Sequence, residues 1–178
     1  MPTSTGALGR DANRVPIVSD GLVSITSSTL SASNTTASNI IFNLTGSIQV
    51  LALYGVVTTV LSSNITAAHY RLNDQTAQPV ISAAAGTTLS SAAVGSVIMR
   101  KALAATALTF IDSAAARITE SSAVNLGFSS PFVLTQKTGG IQTDIEFRYT
   151  TTNTPATGVI QFILKWLPIS TDAAVITF

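Results

Sequence analysis

Ten residues near the end of the chain, Ile141 to Thr150, alternate without exception. Ile141, Thr143, Ile145, Phe147 and Tyr149 fall on one side, and Gln142, Asp144, Glu146, Arg148 and Thr150 on the other. A period of two sends alternate side chains to opposite faces of an extended strand, whereas a helix would spread them around its axis. The pattern predicts a half-buried antiparallel strand with its charged side in water. Lys137-Thr138-Gly139-Gly140 turns into this strand, and Asn153-Thr154-Pro155 turns out of it. The next run, Val159 to Leu167, is predicted to pair with it as a hairpin across a loop of roughly eight residues.

That second run poses the main question of the sequence. Ile160, Phe162, Leu164 and Trp166 fall on one face, and Val159, Gln161, Ile163, Lys165 and Leu167 on the other. Only Gln161 and Lys165 suit water. A strand that is apolar on both faces needs a second cover. Other copies of the chain, or a larger surface on which it sits, would supply one.

Upstream the same signals recur. Gly21 to Leu30 alternates loosely, and residues 31–39 read as a loop. Ile40, Phe42 and Leu44 make one strand face, followed by a tight turn at Gly46-Ser47. Ile48 to Leu61 is apolar on both faces and rich in β-branched residues, as a central strand would be, with Gly55 marking a bulge or a close backbone approach. Ala68, Tyr70 and Leu72 alternate with His69 and Arg71, and Asn73-Asp74 turns the chain. Residues 83–117 hold many alanines, but Gly86, Thr87, Thr88 and Gly95 interrupt any long helix. This stretch is predicted to be mostly β, with strands at Val97 to Met99 and Ala107 to Ile111. No alternation of strands with helices occurs. The fold class expected is all-β, an antiparallel β-sandwich or jelly roll of about eight to ten strands. Residues 21–178 form that single domain, and residues 1–20 an extended N-terminal arm with Val15 to Val18 as an edge strand.

Charge narrows the function. The 178 residues include nine Lys plus Arg and eight Asp plus Glu, where an average domain would carry about 45 charged residues. Ser, Thr and Ala fill 71 positions instead. Hydroxyls and methyls lose less on desolvation than Lys or Glu, so such a surface suits contact with other protein. With a net charge of +1 and no basic cluster, nothing matches the phosphates of a nucleic acid. Ile48 to Leu61 is too short and too interrupted to cross a membrane as a helix, and Met1 to Thr5 does not open like a signal peptide. The chain has no cysteine, which excludes disulfides and thiol chemistry.

Catalytic patterns are absent from the sequence. His69 is the single histidine; Asp74 and Asp112 could orient it, but there is no Gly-x-Ser-x-Gly elbow. Asp144 and Glu146 lie two apart on one strand face, unlike a carboxylate pair across a cleft. No metal-ligand spacing and no phosphate loop occurs. A non-enzymatic protein without cofactor or metal is expected.

Four stretches bear a resemblance: RDANRVPIV at 10–18, SIQVLALYGVVTTV at 47–60, TTLSSAAVGSV at 87–97 and WLPISTDAAV at 166–175. With the composition, they resemble bacteriophage virion structural proteins, most of all small capsid decoration (cement) proteins. The likeness runs loosely over most of the chain and carries no catalytic motif. It implies a β-rich homotrimer on the outer surface of a capsid, made in the host cytoplasm and bound to the major capsid protein. The shell contact would be the arm, through Arg10, Asp11, Asn13, Arg14, Val15, Pro16 and Ile17, where charge is concentrated. The alternative is a tail, baseplate or head-fibre subunit, in which Phe128 and Phe132 would be the aromatic loop residues that meet a receptor.

Overall fold

The computed structural model describes residues 21–62, 64–83, 88–100, 104–111, 131–152 and 154–178. These hold ten strands and no helix: β1 (Leu22–Thr29), β2 (Thr36–Thr45), β3 (Ser47–Thr59), β4 (Ile65–Asn73), β5 (Val97–Met99), β6 (Thr109–Ile111), β7 (Phe132–Thr135), β8 (Thr143–Thr151), β9 (Val159–Pro168) and β10 (Ala174–Thr177). Among the described residues no helix is long and apolar enough to cross a membrane. The arm lies outside the described residues.

The strands form two antiparallel sheets. The larger runs β1-β9-β3-β5-β6, with β7 also on β3; the smaller runs β10-β2-β8-β4. The chain changes sheet at nearly every connection, yet its pairing is nested. β1 pairs with β9, β2 with β8 and β3 with β7. Innermost, β4 meets residues 79–81, where Leu72 N donates to Pro79 O at 2.9 Å and Ile81 N to Tyr70 O at 2.8 Å. Residues 74–78 turn between these two segments, while β5–β6 and β4–β8 pair outside this nesting.

The inner faces share one core. Phe147 of β8 lies 5.0 Å from Phe162 of β9 and 5.7 Å from Tyr70 of β4, ring centre to ring centre, so aromatic rings lock the small sheet onto the large one. Tyr70 is fully enclosed, and burial pushes its phenol well above the ordinary value; it stays protonated and donates to Ile98 O at 3.4 Å. Gly55 proves to be a close approach. A Cβ there would stand 2.8 Å from Ile160 Cγ2 and 3.1 Å from the Phe162 ring. The β3 bulges sit on either side of it, at Val50/Ala52 and Val57/Thr59.

Three expectations need correction. β8 and β9 do not pair as a hairpin. β8 lies between β2 and β4, and β9 between β1 and β3, so the connection crosses from sheet to sheet. Each strand has two long-range neighbours, which outweigh one local pairing. β2 begins at Thr36, inside the stretch read as loop. And the outward side of β8 is not a solvent face: Asp144 and Glu146 are buried.

Candidate interaction surfaces

The two sheets turn contrasting faces outward. On the large sheet, one row crosses five strands in register: Ile25, Ile163, Tyr54, Met99 and Thr109. The next row is Ser27, Gln161, Val56, Val97 and Ile111. On the other flank, Val23 lies beside Lys165, and Gln49 lies between Leu167 and Val133. This is the second face of Val159 to Leu167, and Lys165 is its one charge among these outward positions. Val23, Ile25 and Val133 are 56%, 50% and 57% exposed, while Ile163 at the centre is 8% exposed under its neighbours. A contiguous apolar face of this kind is a candidate interaction surface.

The small sheet carries a hydrogen-bonded polar network outward. Arg71 of β4 lies across from Glu146 of β8, and its Nε donates to Glu146 Oε2 at 2.6 Å. Its Nη2 donates to Ser38 Oγ of β2 at 2.9 Å, and its Nη1 to Gln78 Oε1. Asn73 Nδ2 donates to Glu146 Oε1 at 2.8 Å. One step along, Asp144 accepts from Asn43 Nδ2 at 2.9 Å and from Gln142 Nε2 at 3.0 Å. Among the described residues, no buried side-chain nitrogen or oxygen lacks a partner. Removing one member would strand another, which is how a buried network enforces a single geometry. The alternating sequence put these side chains outward correctly. It held no sign that residues from three strands and the 74–78 turn would close over one another.

His69 sits at the edge of this network, buried and in register with Arg148. Its Nδ1 lies 2.8 Å from Ala67 O, an acceptor, so Nδ1 carries the hydrogen. Burial lowers its pKa, the Ala67 bond opposes that, and the charges of Arg148 and Arg71 add to the lowering. At neutral pH the ring is uncharged. Asp74 does not orient it. That carboxylate accepts from Thr76 N at 2.9 Å and Ala77 N at 2.5 Å in its own turn, and Lys137 Nζ lies 3.6 Å away. These bonds hold its pKa down to about 2. Asp112 lies outside the described residues.

Two concavities flank the faces. A polar cleft of about 330 Å³ lies between Gly46-Ser47, Lys137 to Gly140, and Ser170 and Asp172. Its side chains are engaged: Ser170 Oγ accepts from Ser47 N at 2.8 Å, and Gln136 Oε1 from Gly46 N at 3.2 Å. A pocket of about 240 Å³ is lined by Leu72, Val80, Ile81, Arg100, Phe132 and Leu134. There the Arg100 guanidinium lies 3.8 Å from the Phe132 ring centre, and its Nε donates to Ile81 O at 2.8 Å. Phe132 is thus half-buried packing in β7. The arm residues Arg10, Asp11, Asn13, Arg14, Val15, Pro16 and Ile17, and Phe128, lie outside the described residues.

Among the described residues, charge is scarcer at the surface than their sequence implies. Of the nine charged residues among those described, Arg71, Arg100, Asp144 and Glu146 are buried. Lys137 and Asp74 pair with each other. No family model, curated protein or solved structure matches this chain.

Proposed function

We propose that this protein is a non-enzymatic structural component of a virus particle, a capsid decoration (cement) protein that self-associates and binds the shell from outside. The observation that carries the reading is the sidedness of the body. One outward face is apolar with a single lysine, while nearly half of the described charges are enclosed. An apolar face depleted of charge in this way is suited to contact with other protein. The nested pairing is read here as the connectivity of a jelly roll, a rigid body that presents flat faces and end loops. Its mechanism would be mechanical. Weak contacts repeated by many copies on a lattice gain effective affinity over any single one, and each copy ties neighbouring shell subunits together. The partners are the major capsid protein and copies of the same chain.

The test is stoichiometry. The purified particle should contain hundreds of copies in fixed ratio to the shell protein. A few copies, in multiples of three or six, would place the chain in a tail, baseplate or fibre instead. Absence from particles would end the virion reading. For the arm, a chain lacking residues 1–20 should fold but bind shells weakly; tight binding would remove the arm's role.

A further inference from the structure

We infer that the outward face of the large sheet is covered by the same face of a second copy, so that two chains pair sheet to sheet about an axis near Ile163. This deepens the reading above, since it names the surface through which the protein self-associates. It also makes the basic unit two rather than three.

Three observations point to a second copy. The first is area. The strands of the large sheet, β1, β9, β3, β5, β6 and β7, are 8, 10, 13, 3, 3 and 4 residues long, and at about 3.3 Å per residue and about 4.8 Å between strands they give a face of roughly 650 Å². That is close to the about 800 Å² per partner of a stable protein interface. The second is charge. The face has no basic cluster for nucleic acid or anionic lipid and no acidic cluster for a basic partner; its natural complement is another neutral apolar face, such as itself. Lys165 does not oppose this. It stands two residues from Ile163 on β9, about 7 Å along the strand. A two-fold axis that lies between the sheets at Ile163 and runs across the strands sets the two lysines on opposite sides, about 14 Å apart along β9 and beyond the screening length of about 8 Å at physiological salt. The third is shape. The rows of Ile25, Ile163, Tyr54 and Met99 and of Gln161, Val56 and Val97 have the composition of a sandwich interior, where sheets pack about 10 Å apart. Tyr54 near the middle is the residue type that dominates interface energies.

The experiment uses the full chain in solution. Light scattering should give twice the 18.3 kDa chain mass. Ile25→Lys and Val133→Lys, both at positions at least half exposed, should weaken pairing at least about 100-fold and leave folded monomers whose melting temperature matches that of dilute wild type and no longer depends on concentration; Thr150→Lys, on the other sheet, should leave the mass at two. A second measurement does not depend on those variants folding. The chain has no cysteine, so Ile25→Cys or Tyr54→Cys with a short bis-maleimide should give covalent dimers, and Thr150→Cys should not. A monomeric wild type overturns the inference. So does a trimer indifferent to the lysines, or a monomer that pairs only after residues 1–20 are removed. Particle stoichiometry reads the other proposal separately. A pair absent from particles would leave the face assigned and end the virion reading; a monomer present in hundreds of copies would do the reverse and give the face to the shell.

Discussion

The outward faces of the two sheets are built from the same kind of strand and come out opposite. On the large sheet, outward positions carry Val, Ile, Leu and Tyr, and Val23, Ile25 and Val133 among them are exposed. On the small sheet they include Arg71, Asp144 and Glu146, and these three are enclosed. Each is the reverse of what its composition suggests for a protein in water. The difference lies in what can satisfy each group. Polar side chains from β2, β4 and β8 find partners across the sheet and so can be withdrawn from solvent. Apolar side chains have no directional partner and need another surface. Arginine and carboxylate inside, valine outside, is the contrast on which the proposed self-association rests.

The strongest way to break this contrast is at Glu146. Glu146→Ala leaves the Arg71 guanidinium enclosed without its carboxylate and removes the acceptor of Asn73. A buried charge stripped of its partner costs about 3–5 kcal/mol, read as a lower urea midpoint. Glu146→Gln keeps the volume and an acceptor and should cost less. If the alanine variant unfolds within about 1 kcal/mol of wild type, the network is an ordinary solvated face and the comparison fails.

Next in size is Gly55, which tests the packing between the faces. Gly55→Ala drives a methyl into Ile160 and Phe162. Overpacking of a filled core costs about 1–3 kcal/mol. A neutral result would mean that β9 can shift, and with it the rows on the outer side.

Much of this was legible in the sequence, and the failures share a cause. The strands at 141–150 and 158–168, the turns at Gly46-Ser47 and Asn73-Asp74, and the central place of β3 all follow from periodicity and turn residues. The close approach at Gly55 was one of two readings, and packing decided it. What periodicity could not convey is which strand lies beside which. The β8–β9 hairpin was a local inference, whereas the sheets are assembled from pairs such as Leu22 with Trp166. The same blindness hid the network. Ser38, Arg71 and Glu146 are distant in sequence, and nothing in any one strand foretells that they meet.

A smaller effect belongs to His69, on the polar face. Its folded pKa is lowered, so the unfolded chain binds the proton more readily. Stability is complete above the unfolded value of about 6.5 and declines as pH falls below it toward the folded value. Urea unfolding from pH 7.5 to 5 should show this slope in wild type and lose its His69 part in His69→Gln. Equal slopes would mean that the ring is solvated in both states.

The smallest expected effect separates an open apolar face from a paired one. Val23 is 56% exposed in the single chain. Val23→Thr keeps the β-branched shape and adds a hydroxyl, so for an isolated chain it should change stability by at most about 0.5 kcal/mol. Pairing makes stability depend on concentration, because a partner that binds only the folded state adds to it. The substitution should therefore be silent in dilute protein, where chains are single. At high concentration it should lower the melting temperature, where Val23 is enclosed by the second copy and the hydroxyl lacks a partner. A substitution silent at every concentration would mean that the face is open in solution. One that costs the same at every concentration would mean that the chain itself covers Val23.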